Sequence, residues 1–100
     1  MLKKYNKYQY NFRTNNCRDW NDPQYRKWKK LTHQRDGYCC QWPGCPMKNR
    51  LVAHHIKKWE DYPEVRFELW NGITLCYKHH NQIKGQEEYY EEMFLRMTMK

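Results

Sequence analysis

Residues 69–84 of the chain read LWNGITLCYKHHNQIK. Within them Asn71-Gly72 is a turn signal, and the Ile-Thr-Leu run that follows favours a short strand. Residues 76–84 are compatible with a helix that ends or kinks at Gly85. The segment therefore predicts a turn, a strand and a helix in close succession, with a cysteine and two histidines where the strand meets the helix.

The residues upstream predict the partners of this segment. Residues 50–57 (RLVAHHIK) mix β-branched, apolar and histidine side chains and predict a strand, and the polar residues 58–68 predict a connecting loop. Asp22-Pro23 is a helix N-cap followed by proline at the first helical position, so a helix is expected over residues 23–36. Residues 38–47, with Pro43-Gly44, predict a tight knuckle. The order indicates an α+β fold.

The two ends of the chain differ in character. Residues 1–21 are basic, show no helical or strand period, and are interpreted as an N-terminal arm, which leaves residues 22–100 as one domain. After Ile83, apolar side chains recur at Tyr90, Phe94 and Met97, which predicts a terminal amphipathic helix packed on the domain. The same stripe would be the surface for a weak dimer, so a monomer or a weak dimer is expected.

The composition points to a polyanionic partner. Nineteen Lys and Arg against eleven Asp and Glu give a net charge of +8, which favours nucleic acid and, second, an anionic membrane surface. No segment is long and apolar enough for a membrane span, and the first residues lack a secretory apolar region. A cytoplasmic protein is expected, and its five cysteines are better explained by metal binding than by disulfides.

Four side chains form two pairs with metal-ligand spacing. Cys40 and Cys45 flank the knuckle, and Cys76 and His79 lie two residues apart at the start of the predicted helix. Thiolate and imidazole are the ligands that Zn²⁺ prefers, and a structural zinc would stabilise a domain with so small a core. The alternative is that these are buried free cysteines and a surface histidine. Cys39 could replace Cys40 as a ligand, and Cys17 has no partner in the pattern.

A second set of side chains is left over by the zinc pattern: His54, His55, Asn71 and His80. Neighbouring residues in a strand point to opposite faces, so His54 and His55 cannot do the same job. One could bind a metal while the other accepts a proton. For any one of these side chains alone, a structural role is the simpler interpretation, but the set together on a basic domain indicates a reactive site.

The ordered motifs resemble the HNH family of nucleases over residues 23–85. The matching elements are Ala53-His54-His55-Ile56, then Trp70-Asn71-Gly72, then Leu75-Cys76 with His79-His80 and Lys84, preceded by the knuckle cysteines. The resemblance implies a small zinc-stabilised ββα-metal domain of treble-clef-like type, flanked by helices. The chain is most similar to small stand-alone phage-encoded members of the family. This similarity implies a location in the host cytoplasm, with terminase and other packaging proteins as partners.

The resemblance also implies roles for the second set. His54 and His80 would hold a catalytic divalent ion (Mg²⁺, Mn²⁺, Ni²⁺ or Zn²⁺), His55 would be the general base, and Asn71 would brace the loop that orients it. A register shift of one residue would exchange His54 and His55. The chain departs from the usual pattern at the zinc, where four residues instead of two separate Cys40 from Cys45 and His79 stands for a cysteine. If His79 held the catalytic ion, the zinc would lack a ligand.

The implied activity is hydrolysis of DNA phosphodiester bonds by an endonuclease. Four lysines around the proposed centre would contact phosphates without reading sequence: Lys57, Lys58, Lys78 and Lys84. Two other classes of function are open, a zinc-stabilised DNA-binding module without catalysis and an adaptor for a packaging motor. The first explains the zinc pattern and the charge but leaves the second set of side chains without a role.

Overall fold

The computed structural model describes residues 19–99 of the chain. Over these residues it has three α-helices and one two-stranded sheet, in the order α1 (Pro23–Arg35), β1 (Leu51–His55), β2 (Gly72–Cys76), α2 (Tyr77–Gln82) and α3 (Glu87–Thr98). Two short 3-10 turns, Pro63–Val65 and Leu69–Asn71, lie in the connection between the strands. The predicted α+β class is confirmed. Most of the predicted N-terminal arm, together with Cys17, lies outside the described residues.

Helix α1 begins where the sequence predicts. The Asp22 side chain accepts a hydrogen bond from the Gln24 amide at 2.9 Å, and Pro23 occupies the first helical position. The helix ends one residue before the predicted end, and the chain then reverses through Gly37, whose φ of 66° lies in the left-handed region that glycine adopts without strain.

The two strands pair antiparallel, with Leu51 opposite Cys76 and His55 opposite Gly72. Alternation of side chains along them divides the domain into layers. Ala53 faces the α1 side, where it packs in a cluster with the α1 side chains Tyr25 and Trp28. Ile73 and Leu75 face the other side, in the larger apolar cluster under α2 and α3. The small sheet is therefore covered on both faces.

Gly72 differs from its predicted role. Its φ of −122° and ψ of 145° are extended, so Gly72 is the first residue of β2, while the 3-10 turn ends at Asn71. A Cβ atom on Gly72 would lie 2.6 Å from Trp28 Cζ2 and 2.6 Å from Thr32 Oγ1. Glycine is required here because α1 lies so close to the sheet, and not because the backbone adopts a turn conformation.

Helix α3 packs on the larger apolar cluster, as the sequence predicts. Phe94 is fully buried in that cluster, and Tyr90 and Met97 pack against it from the edge. The Thr98 hydroxyl also donates to the Trp70 carbonyl at 2.6 Å, which fixes the end of the helix to the connection between the strands. In the described part of the chain, no helix has the length and apolar character needed to cross a membrane.

Candidate functional site

The two predicted cysteine and histidine pairs meet in one place. The ligand atoms of Cys40, Cys45, Cys76 and His79 all lie within 4.8 Å of one another. His79 Nδ1 lies 3.8 Å from Cys40 Sγ and 3.4 Å from Cys76 Sγ. Zinc bonds of ordinary length arranged tetrahedrally separate a sulfur and a nitrogen ligand by about 3.6 Å. The group can therefore hold a structural metal ion such as zinc.

Backbone hydrogen bonds hold the knuckle against the sheet. The Cys40 amide donates to the Met47 carbonyl and the Gln41 amide to the Thr74 carbonyl, each at 2.9 Å. The Cys45 amide closes the tight turn by donating to the Trp42 carbonyl at 2.9 Å. Because Cys40 belongs to the metal-binding group, its neighbour Cys39 is not needed as a substitute ligand.

Metal binding by this group is coupled to the loss of thiol protons. Burial raises the pKa of the Cys40 thiol to about 11. Burial also acts to raise the pKa of Cys76, but hydrogen bonds from the His79 amide, the Cys40 side chain and the Lys78 amide outweigh it, and the net pKa is lowered. Burial, followed by the charge of Lys78, lowers the pKa of His79, which favours the neutral form of its imidazole. A neutral imidazole and a thiolate are the forms that bind metal.

His54 and His80 lie together on the α2 side of the sheet. Their ring centroids are 5.5 Å apart with the planes inclined at 64°, and His54 also packs edge-on against Phe94. Two imidazoles that share one divalent ion have centroids on the order of 5 Å apart, so this spacing suits a shared ion. Among the described residues no third His, Cys, Asp or Glu completes a ligand group with them.

His55 faces α1, as alternation along β1 predicts. Its ring stacks on the Trp28 indole with centroids 3.9 Å apart and planes 12° apart, and Trp59 closes the site edge-on at 5.3 Å. His55 Nε2 lies 2.9 Å from the Arg66 carbonyl oxygen. A carbonyl can only accept, so this contact places the proton of a neutral His55 on Nε2 and the lone pair on Nδ1.

The loop that carries the Arg66 carbonyl is fixed by Asn71. This side chain is fully buried; its Oδ1 accepts from the Lys57 amide at 2.6 Å and its Nδ2 donates to the Val65 carbonyl at 3.1 Å. Arg66 itself is buried, donates from Nε to the Trp59 carbonyl at 2.8 Å, and covers the Trp59 ring at 4.1 Å. The loop geometry that orients His55 therefore depends on Asn71 and Arg66 together.

A cavity of about 410 Å³ brings the predicted histidines together. The side chains around it include His54, His55, His80, Lys58 and Lys84. Glu60 and Glu87 also line it, which the sequence reasoning did not single out. The cavity thus places three imidazoles and two cations on one surface, although His54 and His55 point to opposite faces of the strand.

The other two predicted lysines lie elsewhere. Lys57 forms an ion pair with Glu91 at 2.5 Å and covers the Tyr62 ring, and this carboxylate raises the pKa of Lys57. Lys78 lines a separate surface pocket beside the knuckle, together with Trp42 and His79. Lys58 and Lys84 are therefore the two of the four that the structure brings to the histidine cavity.

Sequence reasoning missed Trp28 and Arg66 as parts of the site. Trp28 lies in the predicted helix over residues 23–36, and its distance from His55 along the chain gave no sign of the stack between them. Arg66 sits in a polar loop, where burial of a guanidinium has no local sequence signal. Both side chains act on His55 through contacts that only the tertiary structure creates.

Comparison with known proteins adds no relative. No family model, no curated protein and no solved structure matches the chain. The function is therefore inferred from the geometry of the described residues and from the motifs in the sequence.

Proposed function

We propose that the chain is a metal-dependent DNA endonuclease of the HNH type. The observation that carries the proposal is the single cavity that His54, His55 and His80 all line, together with Lys58, Lys84, Glu60 and Glu87. An acidic polymer suits the strongly basic chain, and hydrolysis of its backbone requires a base, a Lewis acid and cations for the phosphates. The cavity offers side chains for each of these needs.

His55 is the general base of the proposed reaction. Its Nε2 is occupied by the Arg66 carbonyl, so Nδ1, which is buried in this structure, carries the lone pair that would take a proton from the attacking water. The stack on Trp28 and the edge contact with Trp59 restrict the ring to one plane. Asn71 and Arg66 are positioning residues, because they hold the loop carbonyl against which the imidazole is oriented.

His54 and His80 are the side chains that fit a catalytic divalent ion. When bound, such an ion would supply Lewis-acid stabilisation of the charge that develops on phosphate and on the departing oxygen. Lys58 and Lys84 are exposed at the rim of the same cavity and are placed to contact flanking phosphates. Lys57 is left out of this role because Glu91 holds its ammonium group.

The Cys3His group has a structural role in this proposal. A zinc ion bound by Cys40, Cys45, Cys76 and His79 would tie the knuckle to the start of α2 and so set the position of His80, the next residue. Zinc stabilisation of a treble-clef-like ββα-metal domain follows from the same assignment. Packaging partners and a phage origin remain predictions that rest on the resemblance.

The test is cleavage of supercoiled plasmid by the zinc-loaded protein with Mg²⁺, Mn²⁺ or Ni²⁺, and with a chelator. Loss of a general base costs typically 10²–10⁴-fold in rate, so His55→Ala should reduce cleavage by about that factor while zinc content and DNA binding persist. Tyr89→Ala, which changes a side chain that is 78% exposed on α3, is the control.

The outcomes separate the proposal from its alternative. Metal-dependent cleavage that survives in His55→Ala would overturn the assignment of the base. DNA binding without cleavage by any ion, in a folded zinc-containing protein, would instead identify a zinc-stabilised DNA-binding module.

A further inference from the structure

A second concave surface runs beside α1. It is a groove of about 800 Å³, and its cationic side chains are Arg26, Lys27, Lys29 and Lys30. All four are exposed, and among residues 19–99 no acidic side chain lines the groove. Four positive charges without a compensating carboxylate form a surface that attracts a polyanion.

The groove adjoins the histidine cavity. Trp20 and Tyr25 line both surfaces, and their rings meet edge-to-face with centroids 5.2 Å apart. Tyr25 is buried, so it forms part of the floor between the two surfaces. A strand held at the cavity could therefore pass over this aromatic pair and enter the groove without leaving the protein surface.

Exposed aromatic rings accompany the cations. Trp20 is 60% exposed and Tyr38 is 48% exposed, and both line the groove. Stacking of bases on such rings beside a cationic track is the typical recognition mode for single-stranded nucleic acid. In a duplex the base faces are already stacked on one another, so exposed rings in a groove favour an unpaired strand.

We propose that the α1 groove binds a single-stranded DNA segment that continues the strand held in the histidine cavity. The proposal rests on the proposed nuclease function and assigns its substrate class: DNA with an unpaired stretch next to the cut. From Tyr25 to His33 the helix extends about 12 Å, which corresponds to about four nucleotides at the spacing of a stacked strand.

The experiment measures binding of fluorescently labelled single-stranded and duplex oligonucleotides by anisotropy. The zinc-loaded protein is used without added Mg²⁺ or Mn²⁺, and the probe is checked for integrity on a gel. Trp20→Ala combined with Tyr38→Ala should weaken single-strand binding by a factor of about 30 or more and duplex binding less than about twofold. Trp20→Phe alone, which keeps a ring at this position, should retain most of the wild-type affinity for the single strand. Tyr89→Ala is the matched aromatic control.

A second measurement tests the cations without touching the aromatic rings. Replacing Lys27, Lys29 and Lys30 by Ala should reduce the salt dependence of single-strand binding, with the slope of log K against log salt smaller by about 2. Lys48→Ala, an exposed lysine outside the groove, should leave the slope unchanged to within about 0.3, which is less than half of the contribution of one phosphate contact. Melting temperatures of all variants identify any loss of folding.

The failures of the two proposals are distinguishable. Equal weakening of single-strand and duplex binding by the aromatic variant, or an unchanged salt slope in the lysine variant, overturns the groove assignment even if plasmid cleavage is observed. Tight, groove-dependent single-strand binding without any cleavage overturns the nuclease function and leaves the groove in place.

Discussion

Gly72→Ala is expected to be among the most damaging one-carbon changes available in this domain. The added Cβ would lie 2.6 Å from Trp28 Cζ2, 3.0 Å from Trp28 Cε2 and 2.6 Å from Thr32 Oγ1. Carbon atoms pack best at about 3.5–4.0 Å, so the overlap is on the order of 1 Å on two side chains. Trp28 is 2% exposed and Thr32 is fully buried, so the overlap falls on packed core side chains.

The cost can be estimated from that overlap. Overpacking of a well-packed core by one methyl group destabilises a protein by about 1–3 kcal/mol. Because the added Cβ overlaps two side chains, Gly72→Ala is expected at the upper end of that range, about 3 kcal/mol. For a domain of this size that lowers the melting temperature by about 12–24 °C. Cleavage activity should also fall, because Trp28 is the ring on which His55 stacks.

The assay is thermal unfolding of zinc-loaded protein, with Gly85→Ala as the control. Gly85 has a φ of 85° and open space around its Cα, so its substitution tests backbone strain alone and should cost about 1 kcal/mol. Trp28→Phe removes the clashing atoms, so the double variant Gly72→Ala with Trp28→Phe should be less destabilised than the sum of the single variants. Wild-type stability of Gly72→Ala, or strict additivity with Trp28→Phe, would refute the close-approach argument.

Three further outcomes are expected. Atomic emission spectrometry should find one zinc per chain in Cys39→Ser and none in Cys76→Ser. Cys76→Ser should also unfold, because binding of a structural zinc contributes about 10–16 kcal/mol to folding at pH 7. Burial, and then a neighbouring lysine, lowers the pKa of His33 in the folded state, so the unfolded chain binds the extra proton and the free energy of unfolding falls as the pH drops below about 6.5. His33→Asn should flatten this dependence in thermal melts, and an identical slope would contradict the assignment. Asn71→Ala leaves the Lys57 amide and a loop carbonyl without their buried partner and should cost about 3 kcal/mol in urea unfolding, with a lower rate of cleavage.

The sequence alone predicted most of the element order, because the signals were local. The Asp22-Pro23 cap marked the start of α1 and the heptad-like stripe marked α3, and both depend on residues only a few positions apart. The ligand group also followed from local spacing, since each pair lies within one knuckle or one helical turn. What joined the two pairs was the expectation that one metal needs four ligands.

The parts that sequence reasoning did not reach depend on contacts between distant segments. Gly72 carried a turn signal, yet its small size serves a helix that ends 37 residues earlier along the chain, at Arg35. Lys57 had the charge and position of a phosphate contact, but Glu91 on α3 binds it. In each case the local pattern was compatible with two environments, and tertiary packing selected one.

The six-residue helix α2 places the last member of the Cys3His group directly beside the last histidine that lines the cavity. His79 and His80 are neighbours, separated by about 100° around the helix axis. An insertion or deletion of one residue between Cys76 and His80 would turn both side chains away from their groups in a single event. Most positions in a small domain can be substituted one at a time, but the length of this short segment has to stay constant for both groups to form.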